Sequence, residues 1–167
     1  MLRVREYKFR GKIIDHRTRF IETLGYKVGD WIYGENISTE HDDIDPNKIH
    51  VFICGIRVDP DTVGQYIGLL DANDKEIYEG DILEEAAPEI KEAPARAICL
   101  YDNEECKYWA FFTTGESMSP EDFFHNDMAK VIGNIWDNDN LYHQLEEQYK
   151  DECYKANTML HGDLEQL

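Results

Sequence analysis

The densest run of metal-capable side chains is Glu40-His41-Asp42-Asp43-Ile44-Asp45, five donors in six residues. Hard carboxylates suit Ca²⁺ or Mg²⁺, and an imidazole extends the choice to transition metals. The run lacks the central Gly and terminal Glu of an EF-hand, so it reads first as a solvated loop. Glu121 and His125 stand four residues apart behind Ser119-Pro120, a helix-start pair, and Asp122 sits where a capping acid reaches back. A helix there puts an acid and a base on one face, although acids in a first turn ordinarily serve the helix dipole. Glu79-Gly80-Asp81 has the look of an acid pair. Between two strand-like runs it reads instead as a tight turn, with Gly80 giving permissive backbone and Asp81 a local hydrogen bond. No GxSxG elbow marks a nucleophile, and the glycines from Gly25 to Gly34 fit neither a Walker loop nor a dinucleotide fingerprint. The pattern therefore predicts no catalytic residue, no cofactor and no metal site, with the acidic run at 40–45 the one metal route to test.

The elements that must carry these groups are strand-like. The 167 residues include ten Tyr and are 42% apolar, enough for a real core. Tyr7 and Phe9 alternate with Lys8 and Arg10, the period of a strand with its charges outward. Arg19 to Leu24 reads as a short strand or one helical turn. Gly29 to Ile37 reads as a strand that its glycines bound or bulge, Ser38 to Lys48 as a polar surface loop, and Ile49 to Val58 as one run interrupted by Gly55. Val63 to Leu70, the turn Asp71-Ala72-Asn73-Asp74 and Lys75 to Tyr78 make a hairpin, which continues through Glu79-Gly80-Asp81 into Ile82-Leu83. Glu84 to Ala95 is an exposed connection. Arg96 to Tyr101 and Lys107 to Thr113 form a second hairpin. After the short helix at 119–125, Ala129 to Trp136 is a last strand. Leu141, Leu145, Tyr149 and Cys153, with Tyr142 beside them, set the stripe of a C-terminal helix.

Charge is uneven along the chain. Residues 1–30 hold eight Lys/Arg and four Asp/Glu, a balance of +4, while 31–167 hold nine and 31, a balance of −22. The net −18 repels nucleic acid as a whole. Arg3, Arg5, Lys8, Arg10 and Lys12 remain able to touch phosphates, against the plainer reading that they line the outer face of strands. Cys54, Cys99, Cys106 and Cys153 form no CxxC pair and read as reduced thiols. No apolar stretch is long enough to span a membrane, and Met1 to Arg10 lacks the apolar core of a signal peptide. A cytoplasmic location is expected.

Four segments carry a family likeness. Lys8 to Asp15 (KFRGKIID), Trp31 to Gly34 (WIYG), Thr62 to Leu83 (TVGQYIGLLDANDKEIYEGDIL) and Val131 to Asn138 (VIGNIWDN) together resemble the YopX family, over residues 5 to 140. The resemblance implies a mainly β protein with a small SH3-like barrel, a phage or prophage source, and no established enzymatic activity. It also implies that self-association is plausible. Two departures stand out. Asn73-Asp74 occupies the turn where the family often has Asn-Gly, so the turn is expected to be longer or of another type. The tail beyond Asn140 lies outside the likeness. The expected layout is a β-rich domain at 1–138, with its barrel core about 58–136, followed by a helix and frayed tail at 139–167.

Two functional readings stand. One is a non-enzymatic interaction or oligomerising module, with Trp31, Tyr33 and Tyr66 as exposed-aromatic candidates and the C-terminal helix packing on its own domain or on a sister chain. The other is a nucleic-acid-directed accessory protein, gripping DNA through the basic N-terminus or imitating it with the acidic surface. No membrane partner is expected.

Overall fold

The structure is a computed structural model and describes residues 6–15, 17–85, 94–112, 117–118, 129–145 and 147. The chain divides into two compact units, Met1–Gly68 and Leu69–Leu167. The first holds β1 (Phe9–Lys12), α1 (Thr18–Thr23), β2 (Trp31–Gly34), β3 (Ile37–His41), β4 (Ile49–Ile53) and β5 (Ile56–Val58). A 3-10 turn at Pro60–Thr62 then leads into β6 (Gly64–Leu70), whose last two residues belong to the second unit. The second holds β7 (Glu76–Tyr78), β8 (Asp81–Glu85), β9 (Arg96–Asp102), β10 (Lys107–Phe112), β11 (Ser117–Met118) and β12 (Ala129–Asn134). It ends in helix α2 at 139–145.

In the first unit β1 pairs antiparallel with β2 on one side and β6 on the other. A three-stranded sheet runs β3-β4-β5. Ile13, Ile21, Ile32, Val51, Ile53, Ile56 and Val58 form the core, with Phe9, Tyr26 and Val63 against it. The ambiguous stretch after Arg19 is helical, and α1 turns Ile21 into that core while Phe20 and Leu24 stay exposed.

Three expectations change here. The alternation at Tyr7 to Arg10 is not charges-out: Tyr7 is exposed, while Arg10 is 3% exposed with its guanidinium 4.9 Å from the Trp31 ring centre. Both faces of β1 are covered, so a two-residue period does not say which face meets water. The run at 49–58 is two strands joined by Cys54-Gly55, both at positive φ (49° and 75°), between paired Ile53 and Ile56. That is the two-residue hairpin turn whose twist matches the strands. Ser38 to Lys48 is not all loop, because its first residues belong to β3.

In the second unit five antiparallel strands run β11-β10-β9-β8-β12 as a half-barrel sheet, where the small barrel was expected. Ile82 and Leu83 of β8 are fully buried, beside Ala97 and Cys99 of β9 and Ala110 of β10. Leu145 of α2 is buried within the chain itself. The second expected hairpin is present, with β9 and β10 in register from Ala97↔Phe112 to Asp102↔Lys107. Cys99 is a buried thiol, and Cys54 and Cys106 are exposed thiols. No helix among the described residues is long and apolar enough to cross a membrane.

β6 and β7 are neighbouring strands, as expected, and their connection explains the unusual Asn-Asp pair. The Asp74 N–H donates to the Asp71 carbonyl (3.0 Å), and the Asp71 N–H donates to that of Lys75 (2.8 Å). Asp74 itself sits at φ 61°. The connection is therefore a three-residue loop closed by a left-handed residue, where glycine is favoured. Asp74→Gly is expected to raise stability by up to about 1 kcal/mol, read as a higher urea midpoint. A lower midpoint sinks this reading of the turn.

Glu79-Gly80-Asp81 is the turn the residue types announced. Gly80 lies at φ 81°, its N–H donates to the Cys99 carbonyl (2.7 Å), and its carbonyl accepts from Ile135 N–H (3.0 Å). The Asp81 carboxylate accepts the Tyr78 N–H at 2.9 Å and is itself buried. The Trp136 ring lies where a Gly80 Cβ would be.

Candidate strand-docking edge

The acidic run splits between a strand and a loop. Glu40 and His41 end β3, and 42–48 loop back to β4. The Asp42 carboxylate faces its own loop: Oδ1 accepts the N–H of Ile44 (2.9 Å) and Asp45 (3.1 Å), and Oδ2 meets His50 Nε2 (2.9 Å). These bonds hold Asp42 down to about 2, the two backbone N–H groups first and His50 after them. Asp45 Oδ1 accepts the Asn47 N–H, and His41 Nδ1 sits 3.1 Å from the Pro46 carbonyl. No three His, Cys, Asp or Glu side chains converge as a metal site among the described residues.

His50 looks at first like half of a catalytic dyad. Its Nδ1, however, meets Arg57 Nη2 at 2.6 Å. A guanidinium only donates, so Nδ1 accepts and the imidazole proton sits on Nε2, donated to Asp42. Neither nitrogen keeps a lone pair for a substrate proton in this arrangement. The chain Asp42–His50–Arg57 instead ties the loop to β4 and β5.

A second carboxylate anchors the opposite side of the sheet. Asp15 is buried and accepts from Arg17 N–H (2.9 Å), Arg17 Nε (3.0 Å) and Arg57 N–H (3.3 Å). Arg17 also donates to the Gly55 carbonyl (2.8 Å). The Arg17 side chain, above all, holds Asp15 well below the usual carboxylate range. A carboxylate with a lowered folded-state value contributes stability that is complete above its unfolded value, near about 3.9. That contribution is lost as pH falls through the lower folded value. Asp15→Asn is therefore expected to unfold at lower urea at pH 7 and to lose less on going from pH 5 to pH 2. Parallel pH curves for the two proteins sink the assignment.

With one side of the sheet anchored, β3 is its open edge. The bonds Cys54 N–H to Asn36 carbonyl and Asp42 N–H to Lys48 carbonyl (both 2.9 Å) bracket the ladder to β4. Antiparallel pairs alternate, so Asn36, Ser38, Glu40 and Asp42 turn their backbone groups toward β4. Those of Ile37, Thr39 and His41 point outward. Among the described residues no strand pairs with that outer side, and all five residues of β3 are exposed. The other end of the sheet is tied down: Ile13 bridges Val58, and Ile14 N–H donates to the Arg57 carbonyl.

The other expected site residues do not gather. Of the aromatics, Tyr33 is exposed, Trp31 is half-buried over Arg10, and Tyr66 is buried with Lys8 5.4 Å from its ring centre. Arg10 is no phosphate ligand, since it lies under Trp31. Arg3, Arg5, Glu121, Asp122, His125, Tyr149 and Cys153 lie outside the described residues. His50 and Arg57 escaped the sequence reading. One signal was present: Asp45-Pro46-Asn47-Lys48 is a turn sequence, and Lys48 N–H does donate to the Asp45 carbonyl (2.9 Å).

Residues 8–143 match the sequence pattern of the YopX protein family. The chain belongs to the YopX family. That family is associated with phages and prophages and has no assigned function. The YopX match spans β1 through most of α2 and so includes β3, His50, Arg57 and the Gly80 turn. Among solved structures, protein EF1440 from Enterococcus faecalis aligns over 81% of this YopX-family chain and 96% of its own, with 22% identity and a TM-score of 0.48. No curated protein matches the sequence significantly.

Proposed function

We propose that this chain is a non-enzymatic, cytoplasmic protein-interaction module that docks a partner protein, or a second copy of itself, by strand addition. The observation that carries this is β3, an edge strand exposed along its whole length and turning three residues' backbone groups outward. Strand addition draws affinity from such main-chain groups and specificity from alternate side chains. The engagement of both His50 nitrogens supports a structural role for the one acid–imidazole pair of this sheet. The burial of Arg10 weighs against a phosphate grip by the basic N-terminus.

Thr39→Pro tests the idea cleanly. Its N–H faces outward, so proline there removes an edge donor without breaking the β3–β4 ladder. Affinity capture from the source cells with wild-type and Thr39→Pro baits is expected to lose a specific partner from the variant. An identical set of captured proteins sinks the proposal.

A further inference from the structure

We infer that β3 takes a cationic partner segment in which basic and apolar side chains alternate; this rests on the strand-addition reading above. The two faces that an added strand would extend differ. On one, Ser38 and Glu40 stand opposite Phe52 and His50, and Asp42 closes the far end through His50. On the other, Ile37, Thr39 and His41 stand opposite Ile53, Val51 and Ile49. Ile37 and Ile49 are both exposed apolar side chains there. An added strand sends successive side chains to opposite faces. Every second residue would therefore meet the Glu40 face, and the residues between would meet the isoleucine face.

Charge selects the sign. Glu40, Asp42, Asp43 and Asp45 cluster at one end of β3, with Lys48 the one cation in the same stretch. Asp42 is committed to its loop and to His50, whereas Glu40 and Asp43 are exposed. Acidic side chains on an edge repel acidic or similarly charged strands and leave the edge open to basic ones. A second copy is the competing occupant, because Leu2-Arg3-Val4-Arg5 has the same alternation. Against it stands the −18 net charge, which each copy brings.

The probe is a fluorescent, end-blocked heptapeptide alternating Lys and Val, titrated into the full-length chain and read by anisotropy. A Glu–Val peptide is the control. The Lys–Val peptide is expected to bind, roughly tenfold or more tighter than the control, and to weaken as NaCl rises. Thr39→Pro should abolish binding while keeping the wild-type circular dichroism spectrum. Glu40→Lys, a folded-state control with no backbone change, should narrow or reverse the preference. Equal binding of both peptides, lost in Thr39→Pro, overturns the cationic partner but leaves the edge reading standing. Binding that survives Thr39→Pro overturns the edge reading itself. No binding of either peptide overturns the inference. A light-scattering mass above 19.6 kDa that falls in Thr39→Pro assigns the edge to a second copy and overturns the inference in favour of self-association.

Discussion

Gly80→Ala is expected to destabilise the protein by about 2–5 kcal/mol, the sum of a left-handed backbone penalty and of forcing a methyl into an occupied space. Both causes are local and visible. The residue sits at φ 81°, and the added carbon would enter the Trp136 ring. The Gly80 backbone cannot simply shift away from that ring, because its N–H and carbonyl are both held, by Cys99 and Ile135. A small domain has only about 5–15 kcal/mol in hand, so the variant is expected to be partly unfolded at modest urea. The two causes separate in a double-mutant cycle. In a Trp136→Ala background, Gly80→Ala should cost only the backbone share, about 1–2 kcal/mol. A cost below about 1 kcal/mol in the wild-type background contradicts the role of the turn.

Asp71→Ala is the second large effect. Asp71 is 7% exposed, and its carboxylate takes three backbone N–H groups: Asn73 (2.7 Å), Lys75 (2.9 Å) and Val131 (2.9 Å). Two of these close its own hairpin loop. The third reaches sixty residues along the chain to the last strand. Removing the acceptor strands all three donors, for an expected loss of about 3–5 kcal/mol. Asp71→Asn keeps one oxygen but sets an NH₂ against an N–H, so it should fall between the two. Amide exchange at Val131 should speed up in both variants. Unchanged exchange at Val131, with urea midpoints near wild type, rules the role out. Burial pushes the Asp71 carboxyl up, but the three N–H donors outweigh it and leave it lowered. Its contribution is therefore present at neutral pH and lost on acidification, adding to the acid sensitivity that Asp15 brings.

How much of this the residues announced depends on whether a face is buried. The Glu79-Gly80-Asp81 turn was legible because glycine's permissive backbone and an aspartate's local bond act within the turn itself, and the φ of 81° at Gly80 and the Tyr78 N–H bond to Asp81 are of that kind. The Asp71–Lys75 loop was legible for the same reason, down to its departure from a two-residue type. β3 was not. Ile-Ser-Thr-Glu-His has no apolar face because nothing covers either side of it, and hydrophobic periodicity reports only covered faces. The hairpin at Cys54-Gly55 hid inside a run read as one strand, since Cys is a rare occupant of a left-handed turn position. Arg10 misled because an arginine under an indole counts as charge in the sequence and as packing in the fold. The Asp42–His50–Arg57 chain depends on the register of three strands, which no local pattern encodes.

The bond from Asp71 to Val131 has a further consequence when taken with its neighbour, Ala72 N–H to the Ala129 carbonyl at 2.8 Å. Those two bonds occupy the rim of β12, a strand whose register against β8 shifts between Val131 and Gly133. One terminal strand is thus sealed by the protein's own loop while another is left bare. Losing Asp71 would unseal the first, so that variant should clump into insoluble material at concentrations the parent tolerates, and do so before it melts.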